Sequence, residues 1–247
     1  MNVHVPRGCM WIIETADNIL TNYLQKYLEE RIADLKIKNI SNFDAFRTLI
    51  TPIAKGIITK EKEELVSIAL LKNPQRYLVK HAKKYEWLEY GLQGRILPFN
   101  HFVKELNKLK KKNPKKVLTQ IKEETIKLAR KQKEILKQLK IHPKHKKIFQ
   151  IARDSMFYKV YAKDAQFFGY YCIGNLLREI GRRAGLTLEQ IRFLDIGDYP
   201  KILFENKNYS QLTNERMKYS CHFSDRGKSV FYAGNQARKI MAKNQIL

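Results

Sequence analysis

Residues 118–139 read LTQIKEETIKLARKQKEILKQL, and this stretch decides the class of fold. Seven residues, five of them apolar, recur at alternating spacings of three and four, which is typical of a helix that packs along another helix. This seam consists of Leu118, Ile121, Thr125, Leu128, Gln132, Ile135 and Leu139. The spacing predicts one long amphipathic helix with two polar positions, Thr125 and Gln132, inside an otherwise apolar seam.

A turn and a second long helical pattern follow this stretch. Ile141-His142-Pro143 interrupts the first helix, and the next pattern runs from about Lys146 to about Ala184 without a proline. Gly185 stands directly after it, where a glycine commonly ends a helix. The two long helices are therefore expected to form an antiparallel helical hairpin.

Most of the remaining sequence also has helical spacing. The predicted helices before the hairpin lie near residues 15–38, 41–51, 59–71, 73–87 and 99–109. After it, Thr187 and Gln190 have the spacing of a capping box. A short helix after Pro200 is followed by two predicted strands, at 217–223 and 228–232, with a turn at 224–227 and a terminal helix over 233–244. The predicted fold class is mainly α, a multi-helix bundle with a long antiparallel helical hairpin and a small C-terminal β-hairpin.

The same patterns suggest three parts. Residues 1–98 form an N-terminal helical part, and residues 99–195 form the long helical hairpin that packs on it. Residues 196–247 form a small C-terminal element of a helix and the β-hairpin.

The chain is strongly basic. It carries 48 Lys and Arg against 24 Asp and Glu, a formal net charge of +24. Residues 104–147 hold 17 of the cations and 4 glutamates, which is +13 of that total. Such a charge favours anionic partners, although Lys-rich usage also follows from genome composition, so charge alone does not choose a partner.

The sequence predicts a cytoplasmic protein without a membrane segment. No run approaches the roughly 18 apolar residues of a spanning helix, and Glu14 and Asp17 interrupt the short apolar run near the N-terminus. Cys9, Cys172 and Cys221 lie far apart, which argues against a disulfide framework and a zinc site.

No catalytic or metal-binding motif is recognisable. A Gly-rich phosphate loop, a nucleophile elbow and His/Glu metal spacing all lack a credible match, so we assign no catalytic residue and no metal ligand. The second long helix offers cations that could bind an anion, although a solvated helix surface explains them about as well. These candidate anion-binding residues are Arg153, Lys159, Lys163, Arg178 and Arg182.

Aromatic residues suggest a second kind of site. An apolar pocket between helices is a common small-molecule site, although the same side chains are more often ordinary core. The candidate pocket residues are His81, Trp87, Tyr158, Tyr161 and Phe168. His81 lies four residues before Tyr85 on one helix face, and we interpret it as a structural histidine.

Several longer stretches resemble a known family. They are HAKKYEWL (81–88), the Lys-rich helix after Phe99, and above all Ala152-Arg153-Asp154, Lys163-Asp164 and LLREIGRRAGLTLEQIRFL (176–194). Together they resemble the helical middle region of phosphoenolpyruvate-utilising enzymes, which include phosphoenolpyruvate synthase-like, pyruvate phosphate dikinase-like and antibiotic phosphotransferase-like proteins. The hairpin after NERMKY (214–219) resembles the small β element before the phosphohistidine domain of such proteins, and the resemblance spans most of residues 15–240.

The resemblance implies a division of labour. In that family an ATP-grasp domain phosphorylates a histidine on a swivelling domain, which carries the phosphoryl group to an acceptor. This sequence has no Gly-rich segment with a Ser-His pair, and 247 residues leave no room for an ATP-grasp fold as well. The implied function is a non-catalytic helical linker or acceptor-binding module of a phosphotransferase, which makes the chain kinase-associated. The ATP-binding and phosphohistidine domains of that phosphotransferase come from another chain or were lost by truncation. ATP and Mg are implied only for those partner domains, with no cofactor on this chain.

Nucleic-acid binding is the alternative prediction. Lys-rich helices neutralise phosphates without reading sequence. The basic segment lacks interleaved aromatic residues for stacking, and its heptad seam favours helix pairing instead. The alternative therefore depends on the charge of residues 104–147.

Overall fold

The computed structural model of the chain describes residues 5–91, 94–205, 207–225 and 228–243. Over these ranges it contains eleven α-helices and one two-stranded antiparallel sheet. The predicted fold class, mainly α with a small C-terminal β-hairpin, is confirmed.

The helices of the first half are α1 (Val5–Asp34), α2 (Asn42–Ile50), α3 (Ile57–Ala69), α4 (Gln75–Tyr85), α5 (Phe99–Lys111) and α6 (Pro114–Gln138). The long helix α7 (Pro143–Ala184) comes next. It is followed by α8 (Leu188–Arg192), α9 (Asp198–Glu205), α10 (Ser210–Lys218), β1 (Ser220–Asp225), β2 (Lys228–Ala233) and α11 (Gly234–Lys243).

The chain forms two compact units, which divide between Gly169 and Tyr170, inside α7. We call the part up to Gly169 the N-terminal unit and the part from Tyr170 the C-terminal unit. The three predicted parts, with boundaries at 98/99 and 195/196, stay a prediction, and residues on both sides of the first boundary share one core.

The first core of the N-terminal unit joins α1, α2, the end of α6 and the start of α7. Leu24 and Leu28 of α1 are fully buried against α2 residues and against Leu139 and Phe149, on either side of the α6–α7 turn. The two long helices therefore meet near their connecting turn, in a core that α1 and α2 complete.

The seam of α6 faces inward as predicted, but its polar member Gln132 has an unexpected partner. The side-chain amide of Gln132, only 2% exposed, donates hydrogen bonds to the carbonyl oxygens of Thr48 and Thr51, both at 2.9 Å. These carbonyls belong to the end of α2, where a helix leaves its last acceptors unpaired. Beyond the turn region, the seam therefore packs on α2, α3 and α5, whereas a simple hairpin would direct it to α7.

The second core of the N-terminal unit lies between α3, α4 and α5. Leu65 and Ile68 of α3, Leu78 and Tyr85 of α4, and Phe102 of α5 are buried together. Phe102 packs with residues of two earlier helices that precede it by up to 37 positions, so α5 belongs to the same core as α3 and α4. A boundary at 98/99 would cut this core in two.

The core of the C-terminal unit is smaller and is supported by a buried ion pair. Leu186, Ile191, Leu194 and Ile202 form its apolar centre. Arg216 of α10 donates to Asp198 Oδ2 at 2.6 Å and to the Phe193 carbonyl at 3.0 Å, so it connects α10 to α9 and to the end of α8. The predicted capping box of Thr187 and Gln190 begins α8, and Gly185 ends α7 with a positive φ of 65°.

Some predicted boundaries need correction. Tyr219 donates its backbone N–H to the Glu215 carbonyl, so Met217 and Lys218 complete α10 and the first strand begins at Ser220 rather than Met217. Ser224 and Asp225, predicted as turn residues, belong to β1, whereas Arg226 and Gly227 lie outside the described residues. Helix α1 ends at Asp34 rather than Lys38, because Lys36 adopts a left-handed φ of 51° and Ile37 donates back to the Ile32 carbonyl.

Candidate functional site

Three of the candidate anion-binding residues lie in the N-terminal unit. Arg153 is half-buried, and its Nε donates to the Leu49 carbonyl at 3.2 Å, another acceptor near the end of α2. Burial lowers the pKa of Arg153, with the neighbouring Asp154 acting in the opposite direction. Lys159 is half-buried, and the Lys163 ammonium lies 5.6 Å from the centre of the Phe167 ring. Arg153 thus has a structural contact as well as exposed charge.

The other two, Arg178 and Arg182, lie in the C-terminal unit and have local partners. Arg178 donates to Asn175 Oδ1 at 2.8 Å. Arg182 forms two hydrogen bonds of 2.8 Å with the Glu179 carboxylate, and Arg183 adds a third at 2.9 Å. Hydrogen bonds from Arg182 and Arg183 lower the pKa of Glu179 to about 2. Because Glu179 already accepts from Arg182, that guanidinium is less available to an external anion.

The five candidate pocket residues do not form one pocket. His81 and Trp87 are buried, whereas Tyr158, Tyr161 and Phe168 are exposed. Trp87 and Phe168 do meet, with ring centres 5.1 Å apart in an edge-on arrangement. His81 instead lies between α3 and α4, where its ring is 5.6 Å from that of Phe102.

Exposed aliphatic and aromatic side chains of α7 define a stripe on one face of the helix. Ile151, Tyr158 and Tyr161 follow one another at spacings of seven and three, and each is between 56% and 59% exposed. Such spacings place side chains on one side of a helix. We call Ile151, Tyr158 and Tyr161 the exposed stripe, and Phe168 continues it by seven residues.

His81 is held between two carboxylates. Its Nε2 lies 2.9 Å from Glu61 Oε1 and its Nδ1 lies 3.3 Å from Glu64 Oε1, and the side chain has no exposed surface. An ionised carboxylate only accepts hydrogen bonds, so each of the two carboxylates is an acceptor for an N–H of the ring. Both nitrogens are thus engaged in joining α4 to α3, and neither faces a space where a substrate could bind.

The Glu64 carboxylate accepts from three side chains of α4. Lys84 Nζ lies at 2.6 Å, Tyr85 Oη at 3.1 Å and His81 at the 3.3 Å given above. Burial acts to raise the pKa of Glu64, but these hydrogen bonds outweigh it and lower the pKa below its ordinary value of 4.5. The sequence carried a signal for this cluster, since Glu61 and Glu64 are three residues apart and His81, Lys84 and Tyr85 share one helix face.

A cavity of about 460 Å³ lies in the N-terminal unit between the loop Pro52–Ala54, Leu136 and one face of α7. The α7 residues that line it are Lys146, Gln150, Arg153, Asp154, Phe157 and Tyr158. It brings together one candidate from each predicted set, Arg153 and Tyr158. Sequence reasoning missed the loop and Lys146, because the chain positions that meet here are more than eighty residues apart.

Within the described ranges, no group of three or more His, Cys, Asp or Glu side chains is arranged to hold a metal ion. Nor does any helix in the described part of the chain have the length and apolar character required to cross a membrane. Comparison with protein-family models, with curated proteins and with solved structures finds no match for this chain.

Proposed function

We propose that the protein is a non-catalytic helical module of a phosphoenolpyruvate synthase-like phosphotransferase system. It works as a linker or an acceptor-binding part, with ATP-binding and phosphohistidine domains that this sequence does not contain. The observation that carries the proposal is the exposed stripe of α7, formed by Ile151, Tyr158 and Tyr161.

The stripe is suited to a protein partner. Exposed aromatic side chains grouped on one face mark interaction surfaces more often than scattered ones do, and tyrosine is enriched at the energetic centres of interfaces. The net charge of +24 adds a preference for a partner with an acidic surface, because complementary potentials speed association.

The state of His81 fits a module that leaves chemistry to its partners. A phosphocarrier histidine needs a ring nitrogen that can reach the phosphoryl donor. Both nitrogens of His81 lie against carboxylates in a site without solvent exposure. This supports a role for His81 in holding α3 to α4.

The test compares two double variants with the wild-type chain. Ile151→Ala with Tyr161→Ala removes two members of the stripe, and neither residue lines the cavity. Tyr77→Ala with Val79→Ala is the matched control, because these α4 side chains are 54% exposed and similar in size. Each immobilised chain is incubated with lysate from its source, and captured proteins are identified by mass spectrometry.

The expected result is capture of a protein that carries an ATP-grasp or phosphohistidine domain by the wild type and the control. The stripe variant should capture at least about tenfold less, as expected when interface anchors are truncated. Hydrolysis of labelled ATP by the isolated chain would contradict the proposal, as would equal capture by both double variants.

Nucleic-acid binding remains the second candidate because of one observation. All 17 Lys and Arg side chains of residues 104–147 are exposed. Exposed cations on α5 and α6 are suited to contact phosphates along a nucleic-acid backbone. The salt dependence of binding, treated in the Discussion, separates this candidate from the first.

A further inference from the structure

The cavity beside Pro52–Ala54 has the size of a small-molecule site. Ligand-binding clefts commonly have volumes of roughly 300–1,000 Å³, and this one, which is open to solvent, has a volume of about 460 Å³. Its walls come from a loop, from α6 and from α7, so residues far apart in sequence converge on it. Their chemistry defines the ligand.

One side of the cavity is cationic. Lys146 and Arg153 are seven residues apart on α7, so both side chains leave the same face of the helix. The hydrogen bond from Arg153 Nε to the Leu49 carbonyl holds the guanidinium in place. Its two terminal nitrogens, with four of the five N–H donors of an arginine, make no hydrogen bond to any residue that the structure describes. Partly buried donors of this kind favour an external acceptor, and a planar guanidinium matches a carboxylate or a phosphate.

Another part of the cavity lining is apolar. It consists of Pro52 and Ile53 of the loop, Leu136 of α6 and Phe157 of α7. Phe157 is held by its neighbours, since its ring centre lies 5.6 Å from that of Tyr158 and 6.1 Å from that of Tyr161. This wall is suited to a planar or aliphatic body of about one ring.

The charge of the lining limits the ligand. Asp154 places one carboxylate among the lining residues and offsets one of the two cations. A net lining charge of about +1 is suited to a monoanion, whereas a nucleoside triphosphate carries several negative charges. The lining therefore disfavours ATP.

We propose that this cavity binds a small organic anion, with a carboxylate or a phosphate at Arg153 and Lys146 and an apolar or aromatic body against Ile53, Leu136 and Phe157. The site does not require the partner domains of the proposed function. Ligand binding by the isolated chain therefore tests this proposal separately from the proposed function.

The test is an NMR titration of the isolated chain that follows the methyl signals of Ile53 and Leu136. The probes are benzoate and phenyl phosphate, with phenol and inorganic phosphate as matched fragments that carry only one half of the ligand. Saturable shifts with benzoate or phenyl phosphate, at dissociation constants below about 10 mM, are expected. Stronger binding of benzoate identifies a carboxylate ligand, and stronger binding of phenyl phosphate identifies a phosphate ester. Phenol and inorganic phosphate should bind at least about tenfold more weakly.

Two single variants provide the control. Lys146→Gln removes a lining cation, and Lys147→Gln removes the same charge from the next position, which is exposed and does not line the cavity. Lys146→Gln should weaken binding at least about fivefold and Lys147→Gln less than about twofold. Ala54→Trp, at an exposed lining residue, should block binding by filling the cavity.

Three results would overturn the proposal. They are the absence of saturable shifts at Ile53 and Leu136, equal weakening by Lys146→Gln and Lys147→Gln, and binding by inorganic phosphate as strong as by phenyl phosphate. Thermal unfolding of each variant shows whether it is folded, and Lys146→Gln and Lys147→Gln change only exposed side chains.

Discussion

Glu64 shows how one residue can hold two helices together. Its carboxylate accepts from His81, Lys84 and Tyr85, which share one face of α4 because they are three and four residues apart from the first. The lowered pKa of Glu64 means that the folded state favours its ionised form. A group whose folded-state pKa lies below its unfolded value stabilises the protein above the unfolded value, and this contribution is lost as the pH falls through the folded value.

Glu64→Gln is therefore expected to destabilise the protein near neutral pH and to matter less in acid. The difference in free energy of unfolding between wild type and variant should be largest well above pH 4.5, the ordinary pKa of the group. It should shrink as the pH falls through the lowered folded-state pKa, where the wild-type carboxylate becomes protonated. Urea unfolding of both proteins at several pH values measures this difference.

Glu123→Gln is the control, because Glu123 is exposed on α6 and its ion pair with Lys127 is long, at 3.5 Å. Exposed pairs contribute roughly 0–1 kcal/mol, so this variant should differ little from wild type at any pH. A constant difference between wild type and Glu64→Gln from neutral pH to acid would contradict the prediction.

At the scale of elements, the two polar positions in the seam of α6 have different roles. Gln132 donates to Thr48 and Thr51 of the α2 end, whereas the Thr125 hydroxyl donates to the Ile121 carbonyl of its own helix. Removal of Gln132 leaves two acceptors of another helix without their donor. Removal of the Thr125 hydroxyl leaves the Ile121 carbonyl, which still accepts a backbone N–H of its own helix.

Gln132→Leu is expected to lower the free energy of unfolding by about 1–3 kcal/mol, the cost of leaving buried polar groups unpaired. Thr125→Val should change it by less than about 0.5 kcal/mol. Chemical unfolding of the two variants beside the wild type measures both values. Equal effects would show that Gln132 fills space at the α2 end without contributing its hydrogen bonds.

Helices and their ends could be predicted from the sequence better than the contacts between helices. The seam of α6, the capping box at Thr187 and the ending of α7 at Gly185 are local signals, because the residues that produce them are near one another in the chain. The contact of Gln132 with Thr48 and Thr51 joins positions 84 and 81 residues apart. No spacing rule encodes such a contact.

The candidate site illustrates the same limit. Arg153 and Tyr158 could be selected from residue type and helical spacing, but not placed around one cavity. Pro52 and Ile53 reach the cavity only through the packing of α2 on α6 and α7. Of the two tyrosines predicted to line a pocket, Tyr158 lines this cavity and Tyr161 does not, because helical spacing alone does not decide which face of α7 is exposed. For a similar reason, spacing along the chain does not show that α5 packs back on α3 and α4.

For the molecule as a whole, the exposed cations of residues 104–147 dominate the charge. The nucleic-acid alternative predicts that the chain binds a duplex of about 20 base pairs, with affinity that falls at least about a hundredfold between roughly 50 and 200 mM salt. Fluorescence anisotropy at several salt concentrations measures this slope. A quadruple variant tests the segment by replacing with Gln the residues Lys111, Lys112, Lys115 and Lys116.

The control removes the same charge from exposed positions outside the segment, by replacing with Gln the residues Lys36, Lys38, Lys72 and Lys80. The alternative predicts a loss of affinity at least about tenfold greater for the first variant than for the control. Equal losses would mean that only the total charge attracts DNA, and the alternative function would then lose its support.

The amide of Gln132 also determines how many alignments α6 can adopt. An apolar seam that repeats every seven residues can slide by one repeat and still bury similar side chains, which makes its alignments nearly degenerate in energy. A slide of seven residues would bring Thr125 or Leu139 opposite the end of α2. Neither side chain carries two N–H donors, so neither could serve the carbonyls of Thr48 and Thr51. One amide group thereby selects a single alignment of a 25-residue helix from a set that hydrophobicity alone would leave unresolved.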